Sequence, residues 1–219
     1  MTAIHRAVQA EDKAARRAAI LKAAEGLIAR APETFASVAQ VAQEAGLAKG
    51  TIYLYFRTKE EIVLAVHAQH SERLFEAMDA LLSAHVTDLQ PEHMADEFCA
   101  FVTANPIFLH VGAACHSSFQ RNIDAGVMLA FRTRIAARLA QFGPLLEARF
   151  GQLSRGEGVA LLNATYALAL GMWLVCDPTQ KKAKGLDEHP ELAVLDRDFR
   201  QDLKQSLLSL WRGYLVRNG

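Results

Sequence analysis

Cysteine is scarce in this chain: there are three, at Cys99, Cys115 and Cys176. Residues so far apart and odd in number make no disulfide framework. Net charge is missing as well, with 24 Lys/Arg balanced by 24 Asp/Glu, which argues against a protein that coats nucleic acid by charge alone. There is no repeat, no low-complexity tract and no sustained strand-like alternation. No Gly-rich phosphate loop, nucleophile elbow or strong metal-ligand cluster is found, so no catalytic residue, cofactor or metal site is assigned and the chain is read as a non-enzyme. The opening "MTAIHRAVQAEDKAARR" has no apolar signal-peptide core. No run approaches the roughly 18 apolar residues of a spanning helix. The longest candidate, "ALLNATYALALGMWLVC", is interrupted by Asn163 and Thr165 and reads as a buried helix. These absences lead to the expectation of a soluble, reduced, cytoplasmic protein with no membrane partner.

What is present is ordinary in amount but uneven in placement. Hydrophobic residues make up 51% of 219 positions, enough to bury a real core. Residues 1–60 hold nine Lys/Arg against six Asp/Glu, and the remainder holds fifteen against eighteen. A basic first quarter on an acidic body suits a protein that touches a polyanion with one end. Apolar spacing predicts an all-α chain. Helices are expected at 11–31, with Glu11 and Asp12 in its first turn, then at 37–45, 49–56 and 59–83. Others are expected at 91–104, 106–119, 123–149, 154–176 and 196–217, and the segment 177–196 reads as a loop.

The stretch "AGLAKGTIYLYFRTKEE" carries the chemistry. Tyr53 and Tyr55 are two apart, so no single helix face hides both. Ser37 followed by Gln40 has the form of a capping box, and Gly46 is a natural helix stop. Two short helices joined by a tight Gly-containing turn form a helix-turn-helix, whose second helix enters the DNA major groove. Ile52 and Phe56 are expected to pack inward against Val41 and Leu27. Lys49, Thr51, Tyr53, Leu54 and Tyr55 are left to face double-stranded DNA. The tyrosines would offer rings to sugars and hydroxyls to phosphates, contacts that position without reading sequence. Lys59, at the start of the next helix, suits a phosphate.

The segment "SVAQVAQEAGLAKGTIYLYFRTKEEIV" resembles the DNA-binding region of the TetR family of transcriptional regulators. The shared pattern is a Ser/Thr cap, an A-G turn, and K-G-T-(I/L)-Y-x-Y-F-x-x-K-E-E-(I/L). The resemblance covers about a quarter of the chain. It implies an N-terminal three-helix DNA-binding domain over 1–60 and a C-terminal helical effector-binding and dimerisation domain over 61–219. Carried over by position, Lys49, Gly50, Thr51, Tyr53, Leu54 and Tyr55 are recognition-helix contacts, with Thr51 and Leu54 as candidates for base edges. Lys59 is similar to the family's phosphate lysine, and Ser37, Val38 and Ala39 occupy the start of the preceding helix. Two departures touch local geometry. Ala48 stands where a Ser commonly caps the recognition helix, and "ARAPETFAS" replaces a usual glycine. Arg16 and Arg17 read equally as backbone contacts and as solvated arginines.

The implied function is a homodimeric repressor of a palindromic operator, released by a small hydrophobic effector. The alternatives are an architectural or division-linked DNA binder without an inducer, and a helical enzyme or binding module with a vestigial DNA-binding segment. Candidate pocket residues are Phe98, Phe101, Phe108, His110, Phe119, Phe131, Tyr166 and Trp173, although core packing is the ordinary reading of each. Helices 154–176 and 196–217 are apolar on two sides, which points to a second copy of the chain or to a larger core. Leu162, Tyr166, Leu203, Leu207, Leu210 and Tyr214 are the candidates for that dimer interface. His67 and His70 have a chelating spacing but no third ligand. Cys115 beside His116 reads as a buried cysteine before a thiolate sensor.

Overall fold

The computed structural model describes residues 3–32, 34–84, 88–176 and 198–216, side chains from residue 11 onward. The predicted loop at 177–196 lies outside the described residues. Among them are nine α-helices and no strand: α1 Ala3–Arg30, α2 Val38–Glu44, α3 Lys49–Tyr53, α4 Lys59–Ala84, α5 Pro91–Ala104, α6 Ile107–His116, α7 Ala125–Arg149, α8 Glu157–Cys176 and α9 Phe199–Val216. Helix α1 starts eight residues before its expected position, so Glu11 and Asp12 lie in its middle rather than its first turn. The preceding "AIHRAVQA" is rich in helix formers, and nothing in it stops the helix earlier. Helix α3 is shorter than expected, ending at Tyr53.

Two apolar cores share helices α4 and α6. Ile20, Leu21, Ala24 and Ile28 of α1 pack with Val41, Ile52 and Phe56 in the first, together with Ile62, Val63 and Val66 of α4 and Val111 of α6. The second takes Leu74, Phe75, Met78 and Leu82 from the far half of α4, with residues of α5, α7, α8 and α9. Each fully buried side chain contributes about 1.5–3 kcal/mol. Helix α4 has 26 residues, which makes it about 39 Å long, a continuous shaft anchored at both ends. By length and composition α8 could cross a membrane, but Leu161, Leu162, Thr165, Ala169 and Trp173 are buried within this chain.

The body is tightest where α7 meets α8. A Cβ built on Gly158 would lie 2.2 Å from the carbonyl oxygen of Gly143, and one on Gly143 would lie 2.4 Å from Val159 Cγ2. Glu147 of α7 accepts hydrogen bonds from the backbone N–H groups of Gly156 (2.8 Å) and Gly158 (3.1 Å). A carboxylate there satisfies free donors and meets the positive end of the α8 dipole.

Candidate DNA-binding surface and effector cavity

The helix-turn-helix is set by local chemistry. Ser37 Oγ accepts from the Gln40 backbone N–H at 3.3 Å, and Gln40 Oε1 accepts from the Ser37 N–H at 2.9 Å. Gly46 has φ +66°, a left-handed turn residue that leads the chain out of α2. Ala48 sits at the N-cap of α3 without a side-chain hydrogen bond, as expected from the missing Ser. Ile52 and Phe56 point into the core, and Tyr53 and Leu54 between them face out. Tyr53 is 48% exposed and Leu54 77% exposed. Ser37, Ala39, Lys49 and Gly50 are also exposed, and Val38, Thr51, Tyr55 and Lys59 are half-buried.

Helix α1 adds to this face. Asp12, Lys13 and Arg16 line a surface hollow with Leu54 and Tyr55, which places two cations beside the recognition helix. Lys13 was not singled out from the sequence, although its i, i+3 spacing from Arg16 was the available signal. Arg17 instead lays its guanidinium over the Phe56 ring, 5.4 Å from the centroid, and burial lowers its pKa, followed by the Arg134 charge.

The start of α4 is tied to the corner between α6 and α7. Thr58 Oγ1 accepts from the Glu61 N–H (3.1 Å), and Glu61 Oε2 accepts from the Arg57 N–H (2.8 Å). That Thr-x-x-Glu cap was legible in the sequence and overlooked. Thr58 also donates to the Asn122 carbonyl (3.2 Å), while Asn122 Nδ2 donates to Glu60 Oε1 (3.3 Å). Lys59 Nζ lies 5.9 Å from the centroid of the Phe119 ring, and Phe35 stacks on His110 and meets Phe119 edge-on. Phe119 and His110 therefore pack with Phe35 against the first core and do not line the cavity of the body.

A cavity of about 280 Å³ opens within the body, walled by α4, α5, α7 and α8 with Phe108 and His116 of α6 and Trp211 of α9. Four of the eight expected pocket residues line it: Phe98, Phe108, Phe131 and Tyr166. Phe101 packs edge-on against Phe108 behind the wall, and Trp173 packs against Phe199 in the core. The remaining lining includes the aliphatic and sulfur-containing Leu74, Met78, Met94 and Ile135. These were not separable in the sequence from ordinary core positions.

The two facing polar groups deepest in the cavity, His67 and Tyr166, are held neutral. His67 Nε2 lies 3.2 Å from the Tyr166 hydroxyl. Burial, followed by the charges of His116 and His70, lowers the His67 pKa to about 3, and burial pushes the Tyr166 phenol up. Gly112 makes room for this pair, since a Cβ there would lie 2.6 Å from the Tyr166 oxygen and 3.1 Å from His67 Cε1.

Comparison with known sequences decides the class. Residues 20–66 match the profile described as "Bacterial regulatory proteins, tetR family", and residues 68–218 match "Tetracyclin repressor-like, C-terminal domain". The chain belongs to the TetR family. This TetR-family chain is 31% identical over 93 residues to the fatty acid metabolism regulator protein of Bacillus subtilis, a match spanning 42% of this chain and 44% of that protein. Among solved structures it resembles the fatty acid degradation regulator FadR of Bacillus halodurans, with a TM-score of 0.56 and 18% identity, over 93% of this chain and 97% of the other. It also resembles the Bacillus subtilis FadR solved with stearoyl-CoA, with a TM-score of 0.54 and 20% identity, over 88% and 96%. A TetR-family regulator from Mesorhizobium loti matches with a TM-score of 0.58 and 14% identity, over 93% and 96%. The N-terminal helices are thus the DNA-binding part of a transcriptional regulator, and the body is its ligand-binding part.

Several expected residues of the TetR-family body have other surroundings than the sequence implied. Leu203 and Leu207 are buried inside the chain itself, where α9 packs on α5 and α8, so they are not available to a partner. Leu162 is buried and Tyr166 turns to the cavity, whereas Leu210 and Tyr214 are half-buried. A helical stripe read from spacing alone does not say which neighbour covers it. Cys115 is buried, and burial pushes its thiol up to about 12, the opposite of what a thiolate sensor needs. His70 Nε2 lies 3.1 Å from Glu25 Oε1 and His67 faces Tyr166, so the two rings have separate partners. Among the described residues no group of three His, Cys, Asp or Glu could hold a metal.

Proposed function

We propose that this TetR-family regulator is a homodimeric repressor of a palindromic operator, released by an effector with an acyl chain. The observation that carries the reading is the apolar cavity along α4, the same helix whose first turns hold the recognition segment. A ligand wedged between α4 and α7 shifts the regulator only if it binds the DNA-competent and DNA-incompetent conformations unequally. The acyl class is supported by the apolar lining and by the fatty acid regulators this chain is similar to, one of which was solved with stearoyl-CoA.

The first test is selection of DNA fragments from a random pool, followed by release with fatty acyl compounds. An enriched inverted repeat that is released by them supports the reading. Enrichment without release removes the effector class, and no enrichment removes the operator reader. Two substitutions then separate positioning from readout. Lys59→Ala should weaken all DNA sequences alike and reduce the salt slope by about 1. Leu54→Ala should relax preference at one base position of each half-site. A changed preference in the lysine variant would refute its phosphate role.

The dimer has its own evidence and test. Two helical turns of the body present apolar side chains to solvent: Leu174 and Val175 on α8, the latter 85% exposed, with Val216 at the end of α9. A partner copy is the natural cover for them. Val175→Arg is expected to halve the mass seen by light scattering while leaving the fold intact, because the side chain touches little within its own chain. An unchanged mass would place the interface elsewhere.

A further inference from the structure

The cavity is chemically lopsided, along its length and in its charge. Helices α4 and α7 run side by side in the same direction, as their ion pairs show: Arg134 meets Glu72 at 2.8 Å, and Arg138 meets Asp79 at 3.4 Å. At one end α4 contributes His67 and α7 contributes Phe131 and Arg132; at the other they contribute Met78 and Leu139. The eleven positions from His67 to Met78 span about 16 Å, so the space is elongated. Its opening runs along α7 from the His67 end, where Arg132 of α7 and His116 of α6 are exposed, to Ala136 of α7 and Asn163 of α8, also exposed, whereas Met78, Met94 and Trp211 are buried.

Charge is the second asymmetry. Among the described residues its lining includes one arginine, two histidines and no carboxylate. Arg134 and Arg138 on the same helix are each paired with acids of α4, but Arg132 has no acidic partner among the described residues. An unpaired guanidinium at the rim of an apolar space is a binding group for an anion, and its fork geometry suits a carboxylate or a phosphate. The buried end offers no such group, so a charged head there would be desolvated without compensation.

From these two asymmetries we infer that the effector is an unbranched acyl chain carrying an anionic head, with the tail along α4 towards Met78 and the head at the mouth against Arg132. His116 flanks the head, and the Tyr166–His67 pair forms the floor beneath it. This rests on the acyl reading of the cavity given above and adds the sign and position of its polar end. A free carboxylate and the phosphates of a thioester carrier share this chemistry.

The test is direct binding, read by calorimetry and by the fluorescence of the two tryptophans, with four probes on the full chain. These are dodecanoate, dodecanoyl-CoA, dodecanol and dodecylamine. The anionic probes are expected to bind at least about tenfold more tightly than dodecanol, the scale of one hydrogen bond to a charged group, with the amine weaker still. Arg132→Gln should bring the anions to the level of dodecanol while leaving dodecanol unchanged, and Arg132→Lys should retain most of the preference. Arg132 is exposed, so these variants should fold. Whichever anion loses more in Arg132→Gln identifies the source, carboxylate or carrier phosphate. If the anion preference survives Arg132→Gln, or if dodecanol binds as well as the anions to the unmodified chain, the assignment of the head is overturned and the acyl cavity stands. If none of the four binds, the acyl cavity itself is refuted.

Discussion

Gly158→Ala is expected to destabilise the chain by about 3 kcal/mol or more, a fall in Tm of roughly 6–12 °C. The new methyl would lie 2.2 Å from the carbonyl oxygen of Gly143, 2.8 Å from its carbonyl carbon and 3.0 Å from its Cα. All three are backbone atoms, so no rotamer change can relieve the overlap, and α7 and α8 must move apart. Separation would loosen Phe142, Leu146 and Leu161, each fully buried, and would weaken the Glu147 cap on α8. Gly171→Ala is the control, since a Cβ there meets nothing within 4 Å. Alanine in that helix interior should be stabilising by roughly 0.5–1 kcal/mol. Thermal melts of the two variants beside the parent decide the matter. If Gly158→Ala melts with Gly171→Ala, the close crossing of α7 and α8 is wrong.

A second large effect concerns pH. His67 is fully buried with its pKa lowered to about 3, against an unfolded value near 6.5. The sign follows from proton binding: below the unfolded value the unfolded chain takes up a proton that the folded chain refuses. Stability therefore falls as pH falls from about 6.5 and goes on falling until the folded value near 3 is reached. For these two values the loss from this one group between pH 7 and pH 5 is about 2 kcal/mol. His70 and His116 are also lowered, burial being the largest cause for each, so the group must be isolated by substitution. His67→Gln cannot titrate, and urea unfolding of the variant should lose about 2 kcal/mol less than the parent over the same interval. An equal loss in both would show that the proton uptake belongs elsewhere. The variant's lower stability at both pH values, from the altered Tyr166 contact, does not affect the comparison.

Much of the recognition segment was legible because it is governed by short-range rules. The Ser37–Gln40 box and the Gly46 turn depend on residues within about one helical turn, the inward side of Ile52 and Phe56 is set by their spacing of four, and each is present as expected. Exposure of Tyr53 and Leu54 followed from which neighbours had to be buried. The early start of α1 was missed because an acidic pair at residues 11 and 12 looked like a first turn, whereas the segment before it also favours helix.

The body was less legible, for a different reason. Phe98, Phe108, Phe131 and Tyr166 line the cavity while Phe101 and Trp173 pack in the core, yet all six obey the same apolar spacing. Leu203 and Leu207 looked like partner-facing residues and are covered by their own chain. Periodicity reports which side of a helix avoids water; it carries no information on what replaces the water.

The amino-acid order by itself determined the helical class, the recognition segment and its outward face, since each rests on contacts between near neighbours in the chain. Only the tertiary structure decided that α4 serves both cores, that Gly112 leaves room for a buried Tyr166–His67 pair, and that Arg132 stands at a cavity mouth without an acidic partner among the described residues. Those facts depend on helices far apart in sequence meeting at particular heights and rotations. Local propensity sets where a helix begins and ends, and the sum of many packing contacts sets where it lies.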